Sequence, residues 1–293
     1  MHVGFVGLGA MGEPMVANLL KKGFAVGILP HRRLEPVDRL KAAGAQVQAD
    51  AKALAATADA IVLSLPTSKQ VEAVMLGNDG IVANAKPGSV VIDCSTSDPP
   101  STRKLGALLA ERRIGMVDAG MTRGVAGART GTLAFFLGGE QAHVDQAMPV
   151  LKGMGDTFVH LGPLSHGHTA KLISNVLSYG TVALVNEAFM LGSRAGVDLK
   201  LLFDALMQGA TSKALEAFGP RIVAGEYHPP RVTVEHVCDD MGMLQGLAAG
   251  GSAPVFMLSA AQEIYRLAQM RGEGQADMSR IAELWRAVPG AKA

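Results

Sequence analysis

The first half of the chain alternates short apolar runs with stretches in which apolar residues recur at helical spacing. The apolar runs have strand length and lie at His2–Val6, Phe24–Leu29, Ala60–Leu65, Ser89–Asp93, Gly115–Asp118 and Leu133–Leu137. Helical patterns lie between most of them, at Met11–Lys22, Glu35–Ala43, Lys69–Met75 and Pro100–Arg113. Strands that alternate with helices are typical of βαβ units. This half therefore predicts a doubly wound α/β domain around a parallel sheet with right-handed crossovers.

Beyond about residue 162 the strand patterns stop and helical spacing takes over. One long pattern ends near Gly196, and Asp198 follows as the predicted N-cap of a helix over LKLLFDALMQG. Further helical patterns lie at Thr233–Ala249, Val255–Met270 and Met278–Ala287. We predict a nucleotide-binding domain over residues 1–162 and an all-α domain over residues 163–293, joined by the long helix.

Composition narrows the classes of partner. The chain has 293 residues, 48% of them hydrophobic, and a formal net charge of +1. A nearly neutral chain lacks the basic surface that nucleic acid or an anionic membrane would require, so neither is expected as a partner. The most membrane-like stretch, residues 172–191, contains Asn175, Asn186 and Glu187, which favour a helix buried in protein.

Two features bear on the compartment. Cys94 and Cys238 are the only cysteines, and they are too far apart for a C-x-x-C motif. The N-terminus enters an apolar strand pattern at once, without the basic region of a secretory signal. Both observations predict a cytoplasmic protein.

The glycines of GFVGLGAMG follow a predicted strand and open a predicted helix. In this context Gly7 permits a tight turn, Gly9 permits close approach of a pyrophosphate, and Gly12 permits close helix–strand packing. The helix N-terminus would then face the phosphates. The predicted contacts are Gly7, Leu8, Gly9, Ala10, Met11 and Gly12.

The end of the second predicted strand bears on the choice of nucleotide. It reads ILPHRR, with His31, Arg32 and Arg33 where NAD sites usually carry an acid. Basic residues here suit a 2′-phosphate, so NADP(H) is predicted, with NAD(H) possible. The alternative is a basic helix-entry turn that contacts no ligand.

Four ordered blocks resemble the β-hydroxyacid dehydrogenase family over essentially the whole chain. They are GFVGLGAMGEPMVANLLKKG, VVIDCSTSDPP, DAGMTRGVAGARTGTLAFFLGG and GHTAKLISNVLS. The resemblance implies a Rossmann-like domain followed by a helical one, and a homodimer or homotetramer formed through the helical part. It also implies that Ser95 and Thr96 border the nicotinamide and that Leu65 and Pro66 lie along the cofactor.

The last block predicts the catalytic groups. Lys171, Asn175 and Ser178 share one face near the start of the long helix. A lysine there can exchange a proton with a carbonyl oxygen, and the asparagine can hold that oxygen. The resemblance likewise identifies Lys171 as the catalytic acid/base and Asn175 as its partner, with Ser178 nearby.

The substrate loop departs from the family pattern, which is commonly P-V-S-G-G. Thr122 retains a hydroxyl, and Arg123 before Gly124 introduces a guanidinium that could clamp a carboxylate, sulfonate or phosphate. An arginine in this loop resembles the sulfolactaldehyde-reductase branch. The alternative is that Arg123 points to solvent.

A second departure lies in EHVCDDMGML. Asp239 occupies the place of the family's usual lysine, and Asp240 that of its aspartate. An acid here could favour a substrate with an amino group, such as a β-hydroxy amino acid. The alternative is a changed surface position.

We predict an oxidoreductase that transfers a hydride between NADP(H) and a small 3-hydroxy acid or acid semialdehyde, without a metal. The alternatives are a dehydrogenase of a β-hydroxy amino acid or a sulfonated aldehyde, an imine reductase on the same scaffold, and a non-catalytic nucleotide-binding protein.

Overall fold

A computed structural model describes residues 1–30 and 34–286, which form two compact units. The first unit is Met1–Lys171 and the second begins at Leu172. The first turn of the long helix belongs to the first unit because it packs closely on that unit's sheet.

The first unit is built on one eight-stranded sheet. Its strands are β1 (His2–Val6), β2 (Ala25–Ile28), β3 (Gln46–Val47), β4 (Ala60–Leu63), β5 (Val90–Asp93), β6 (Gly115–Thr122), β7 (Leu133–Gly138) and β8 (Gly155–His160). The strand order is β3-β2-β1-β4-β5-β6-β7-β8, so the chain reverses direction across the sheet after β3. In sheets of this kind, ligands bind beside that reversal point, at the carboxyl ends of the strands.

Eight helices belong wholly to this unit. They are α1 (Gly12–Lys21), α2 (Glu35–Ala42), α3 (Ala51–Thr57), α4 (Ser68–Met75), α5 (Ile81–Asn84), α6 (Pro99–Ala110), α7 (Gly124–Thr130) and α8 (Gln141–Met154). On β4, Ala60 and Val62 join one apolar cluster with α1, α2 and α8, while Ile61 and Leu63 join another with α3, α4 and α6. Alternate residues thus face opposite sides, and helices cover both, as the doubly wound prediction requires.

The sheet is parallel, as predicted, except at one pairing near its edge. Strands β1 to β6 are parallel, but β7 pairs with β6 in the antiparallel direction, and β8 runs parallel to β7. Only Arg123–Thr132, which contains the short helix α7, connects β6 to β7. A parallel connection needs a crossover of a dozen or more residues, so this shorter segment returns the chain antiparallel.

The second unit is helical. The long helix α9 (His166–Arg194) leads into α10 (Leu199–Gly209), α11 (Lys213–Ala224), α12 (Val234–Gly250) and α13 (Phe256–Met270), followed by a 3₁₀ turn (Met278–Ile281) and α14 (Ala282–Arg286). Asp198 and Thr233 cap α10 and α12 through their side chains, as predicted for Asp198. Residues from α9, α11, α12 and α13 form one apolar core, at whose centre Tyr265 is fully buried. Within the described ranges, no helix is both long and apolar enough to cross a membrane.

Candidate active site

The glycine loop connects β1 to α1 and owes two of its glycines to backbone packing. Gly7 has φ +103°, and a Cβ there would overlap with the Ser64 carbonyl. A Cβ at Gly12 would overlap with the carbonyl of Gly7. Gly9 differs, because nothing lies within 4 Å of where its Cβ would be. The loop therefore presents bare backbone at Gly9.

A pocket of about 480 Å³ opens beside this loop. It is lined by Val6, Gly7, Leu8, Gly9, Leu29, Pro30, Ser64, Leu65, Pro66, Gln70, Ala73 and Val74. Five predicted cofactor residues, Gly7, Leu8, Gly9, Leu65 and Pro66, are thus brought together, although Leu65 and Pro66 lie more than fifty residues from the loop.

The start of α1 next to this pocket fits a pyrophosphate. The first amides of a helix have no partner within the helix, and they attract anions. The N-cap residue Met11 supplies no side-chain cap, and Gly9 leaves the approach open. A dinucleotide held by Gly9, Ala10 and Met11 is therefore compatible with the loop. The predicted 2′-phosphate contacts, His31, Arg32 and Arg33, lie outside the described residues.

The end of β5 is attached to the end of β4 through Ser95. The Ser95 hydroxyl accepts a hydrogen bond of 2.9 Å from the Leu65 amide. The buried Asp93 carboxylate in turn accepts hydrogen bonds from the Ser95 amide at 2.9 Å and the Ser97 hydroxyl at 2.8 Å. Thr96 lies half-buried between these two anchored serines. The structure thus joins the segment predicted to border the nicotinamide to Leu65, which is predicted to lie along the cofactor.

The first turn of α9 is held by a carboxylate on β6. The fully buried Asp118 accepts hydrogen bonds from the Ser165 amide at 2.7 Å and the His168 amide at 2.6 Å. An acid at a helix N-terminus satisfies amides that have no helical partner and also opposes the helix dipole. This role of Asp118 was not predicted from the sequence, because nothing in local spacing links β6 to residue 165.

Lys171 follows three residues after His168 and packs against β6. A Cβ on Gly120 would lie 2.6 Å from the Lys171 Cβ and 3.2 Å from the Gly167 carbonyl. Gly120 therefore lets the helix approach the strand closely. The backbone position of Lys171 is fixed by the sheet of the first unit.

Asn175 follows one turn later, in the second unit, and its amide faces a buried acid. Its Nδ2 donates to Oδ2 of Asp240 at 2.7 Å, and the Tyr179 hydroxyl donates to the same oxygen at 2.7 Å. A carboxylate can only accept, so it fixes which end of the amide carries the hydrogens. The burial of Tyr179 and its neighbouring Asp240 carboxylate raise the pKa of that phenol far above its ordinary value.

Asp240, and not the predicted Asp239, is the acid that contacts Asn175. Only 1% of Asp240 is exposed, whereas Asp239 lies on the exposed side of α12. The i, i+4 pair of Asn175 and Tyr179 on α9 was the available signal, because such a pair presents two donors to one acceptor. Ser178 also lies on α9 and is exposed.

Arg123 has internal partners in the first unit. Its guanidinium donates to Asp156 Oδ1 at 2.6 Å, to the Thr132 carbonyl at 2.7 Å and to the Thr157 hydroxyl at 2.8 Å. The Thr157 hydroxyl and the Arg123 guanidinium lower the pKa of Asp156. Groups of the first unit therefore hold the guanidinium, although 44% of the Arg123 side chain is exposed, and its role as a substrate clamp stays a prediction.

The other residues of the predicted substrate loop, Thr122 and Gly124, lie on either side of Arg123 in the chain. Thr122 ends β6 and is half-buried, while Arg123 and Gly124 both have positive φ, at +77° and +58°. In residues 1–30 and 34–286, no three His, Cys, Asp or Glu side chains are grouped closely enough to hold a metal ion.

Comparison with known proteins shows which family the chain resembles. Residues 2–162 match the NAD binding domain of 6-phosphogluconate dehydrogenase, and residues 165–285 match the NAD-binding region of NADP-dependent 3-hydroxyisobutyrate dehydrogenase. The chain is 33% identical to the NAD-dependent L-serine dehydrogenase of Pseudomonas aeruginosa, covering 99% of both chains. It is 32% identical to mouse mitochondrial 3-hydroxyisobutyrate dehydrogenase, covering 97% of this chain and 87% of that one.

A solved structure agrees with these relatives. The 3-hydroxyisobutyrate dehydrogenase of Mycobacterium tuberculosis with L-serine superimposes with a TM-score of 0.87 at 27% identity, over 98% of this chain and 99% of that chain. The fold, the two matched domains and the full-length similarity are consistent with one another. The chain therefore belongs to the β-hydroxyacid dehydrogenase family and is an NAD(P)-dependent hydroxyacid dehydrogenase.

Proposed function

We propose that this enzyme interconverts a small 3-hydroxy acid and its semialdehyde, with NADP(H) as the preferred cofactor and Lys171 as the acid/base. The observation that carries the proposal is the rigid attachment of Lys171. Its helical turn is capped by Asp118 and packs on Gly120 without a gap. A proton donor must be held in place to act on one substrate atom, and this attachment supports that role.

In the reducing direction, bound NADPH would supply a hydride to the carbonyl carbon. The Lys171 ammonium would donate its proton to the carbonyl oxygen as negative charge develops there, and in the reverse reaction the amine would remove it. Asn175 would donate its second amide hydrogen to the same oxygen, since the first is directed at Asp240. Ser178 stays a predicted substrate contact of lower specificity, because its side chain offers only a hydroxyl.

The acid group of the substrate would bind at the β6–α7 loop. The Thr122 hydroxyl and the backbone at Gly124 can donate hydrogen bonds to a carboxylate there. We assign Arg123 to anchoring this loop, because its guanidinium is directed at Asp156 and Thr157.

The test of the mechanism is Lys171→Ala, with Lys104→Ala as the matched control. Lys104 is an exposed lysine on α6 of the same unit. Loss of a positioned general acid lowers the rate by about 10²–10⁴-fold, so we expect kcat to fall by that range while the control stays unchanged. NADPH oxidation with semialdehydes that continued at the normal rate in Lys171→Ala would overturn the mechanism.

A substrate panel separates the remaining alternatives on the same scaffold. Succinic, tartronic, methylmalonic and sulfonated semialdehydes, a cyclic imine, serine and threonine would each be assayed with both cofactors. Turnover of the imine alone would indicate an imine reductase. The absence of turnover with the whole panel, together with tight NADPH binding, would favour a non-catalytic nucleotide-binding protein.

The preference for NADP(H) rests on His31, Arg32 and Arg33. An arginine can bind a 2′-phosphate through two parallel hydrogen bonds, and the sequence ILPHRR contains no acid for the hydroxyls of an adenosine ribose. We expect Arg32→Ser with Arg33→Ser to lower kcat/KM for NADPH at least tenfold and to leave NADH within a factor of two, since a lost charged contact corresponds to about 1.5–3 kcal/mol. Equal kcat/KM values for the two cofactors in the unmodified enzyme would contradict the preference.

A β-hydroxy amino acid is the second candidate substrate. It is favoured by Asp239 and by the relatives, since one is named an L-serine dehydrogenase and another was solved with L-serine. Asp239→Asn should raise KM for serine and leave KM for a semialdehyde unchanged. Asp204→Asn, at an exposed acid on α10, is the control. The same KM for serine in both variants would assign Asp239 to the surface.

We also propose a homodimer or homotetramer. The α9 helix exposes Ile173, Leu177, Leu184 and Leu191, whose exposed fractions are 46–69%. Their spacing of four, seven and seven residues forms one apolar stripe, which borders a groove of about 320 Å³ lined also by Met257. Light scattering should give a multiple of the 30.4 kDa chain mass.

The free thiols of Cys94 and Cys238 support a cytoplasmic location.

A further inference from the structure

His168 is a fully buried polar residue that the proposed mechanism does not use. It lies in the first turn of α9, three residues before Lys171, and it is 0% exposed. Both ring nitrogens have partners in the first unit: Nε2 lies 3.1 Å from the Asp93 carbonyl, and Nδ1 lies 2.8 Å from the Thr102 hydroxyl. A carbonyl can only accept, so Nε2 carries a hydrogen and Nδ1 can accept from Thr102.

Asp93, the partner of His168 Nε2, also holds the Ser95–Thr96 segment, which is expected to border the nicotinamide. The same aspartate whose carbonyl receives His168 uses its carboxylate to hold the Ser95 amide and the Ser97 hydroxyl. The Ser95 hydroxyl then accepts from the Leu65 amide. Through Asp93 alone, His168 is therefore connected to the loops that follow both β4 and β5.

His168 itself lies near the start of α9, in the segment that leads to Lys171. The backbone amide of His168 donates to Asp118, and that carboxylate also holds the Ser165 amide. Helix α6 reinforces the same turn, because Arg103 Nη1 donates to the Ser165 hydroxyl at 3.0 Å. The side chain of His168 thus joins the catalytic turn to β5, and its backbone joins that turn to β6.

We propose that His168 is a positioning residue that sets the Ser95–Thr96 segment, and with it the nicotinamide, relative to Lys171. The inference rests on the proposed function of those three residues. Hydride and proton transfer require the cofactor carbon and the lysine nitrogen to reach adjacent atoms of one substrate, so their relative placement limits the rate. A buried ring with two directed hydrogen bonds keeps these two segments in register.

The test uses His168→Leu and Thr102→Val, with His166→Leu as the matched control. Leucine removes both ring contacts, whereas valine keeps the shape of Thr102 and removes only its hydroxyl. His166 lies in the same turn but is exposed, and its Nδ1 lies 3.0 Å from the Leu161 carbonyl. If His168→Leu fails to fold, Thr102→Val carries the test.

Two measurements are made on each variant. The first is binding of NADPH and of 2′-phospho-ADP-ribose, which lacks the nicotinamide. The second is the deuterium isotope effect on kcat with NADPH labelled at the transferred position. We expect His168→Leu to weaken NADPH binding about threefold to tenfold and to lower kcat about tenfold with a larger isotope effect, because displaced reactants make the chemical step slower. Binding of the fragment should change less than twofold.

Thr102→Val should shift the same quantities in the same direction by a smaller factor, and His166→Leu should leave all of them unchanged. Equal losses for NADPH and the fragment would show a purely structural role and overturn the proposal, as would unchanged values in both test variants. The proposed function is judged separately by Lys171→Ala. Loss of activity there, with His168→Leu unaffected, would leave the enzyme mechanism intact and reject only the positioning role.

Discussion

Gly120→Ala should disable the enzyme by displacing Lys171 without changing any polar group. The added methyl would lie 2.6 Å from the Lys171 Cβ and 3.1 Å from its Cγ, whereas non-bonded carbons pack at about 3.5–4.0 Å. Strand β6 and helix α9 must therefore separate locally by roughly 1 Å. Overpacking of this kind lowers the free energy of unfolding by about 1–3 kcal/mol.

The catalytic consequence should exceed the loss of stability. A displacement of about 1 Å at a reacting group can lower the rate by about 10²-fold, so we expect kcat to fall between tenfold and a hundredfold. The affinity for NADPH should change little, because the pocket beside Gly9 does not include residue 120. Steady-state kinetics at saturating cofactor and fluorescence titration of NADPH measure the two quantities.

Gly246→Ala is the matched control. Gly246 lies within α12, and nothing is within 4 Å of where its Cβ would be. Alanine is favoured over glycine in a helix by about 1 kcal/mol, so this variant should be slightly more stable and equally active. A Gly120→Ala enzyme that keeps its kcat within a factor of two would refute the close packing of Lys171 on β6 as a catalytic requirement.

Three further predictions concern other groups. Asp240→Asn should lower kcat about tenfold, because the Asn175 amide loses a neighbour that can only accept hydrogen bonds. Asp239→Asn should leave kcat with a semialdehyde unchanged, and steady-state assays compare the two variants. Asp156→Asn should raise the KM for substrate a few-fold, because Arg123 would no longer anchor the loop. A lower KM would instead indicate that the freed Arg123 guanidinium binds the acid group of the substrate. Burial raises the pKa of the Cys94 thiol well above its ordinary value, so a thiol reagent at pH 8 should modify at most one cysteine until denaturant is added.

The alternation of apolar runs and helical spacing was sufficient for most of the fold. Six strands and the helices α1, α2, α4, α6, α9, α10, α12 and α13 lie at or within a few residues of their predicted places. Five helices had no predicted pattern: α3, α5, α7, α8 and α11. Strand β3 has only two residues, and β8 contains three polar residues among six and is exposed at its last two, so neither shows a strand pattern. The antiparallel pairing of β7 with β6 depends on the length of the segment between these two strands. The predicted elements did not define that length.

The sequence by itself determined which chemical groups this protein has and the order in which they come. The glycine loop, the lysine and asparagine predicted to be catalytic, and the predicted division into two domains follow from spacing and from resemblance, because each motif is contained in one short segment. The tertiary structure alone decided which groups act together. Asp118 caps a turn 47 residues away, Asp240 orients an amide 65 residues away, and His168 reaches a carbonyl 75 residues away. Such partners are chosen by the packing of strands and helices, and local sequence periodicity carries no information about them.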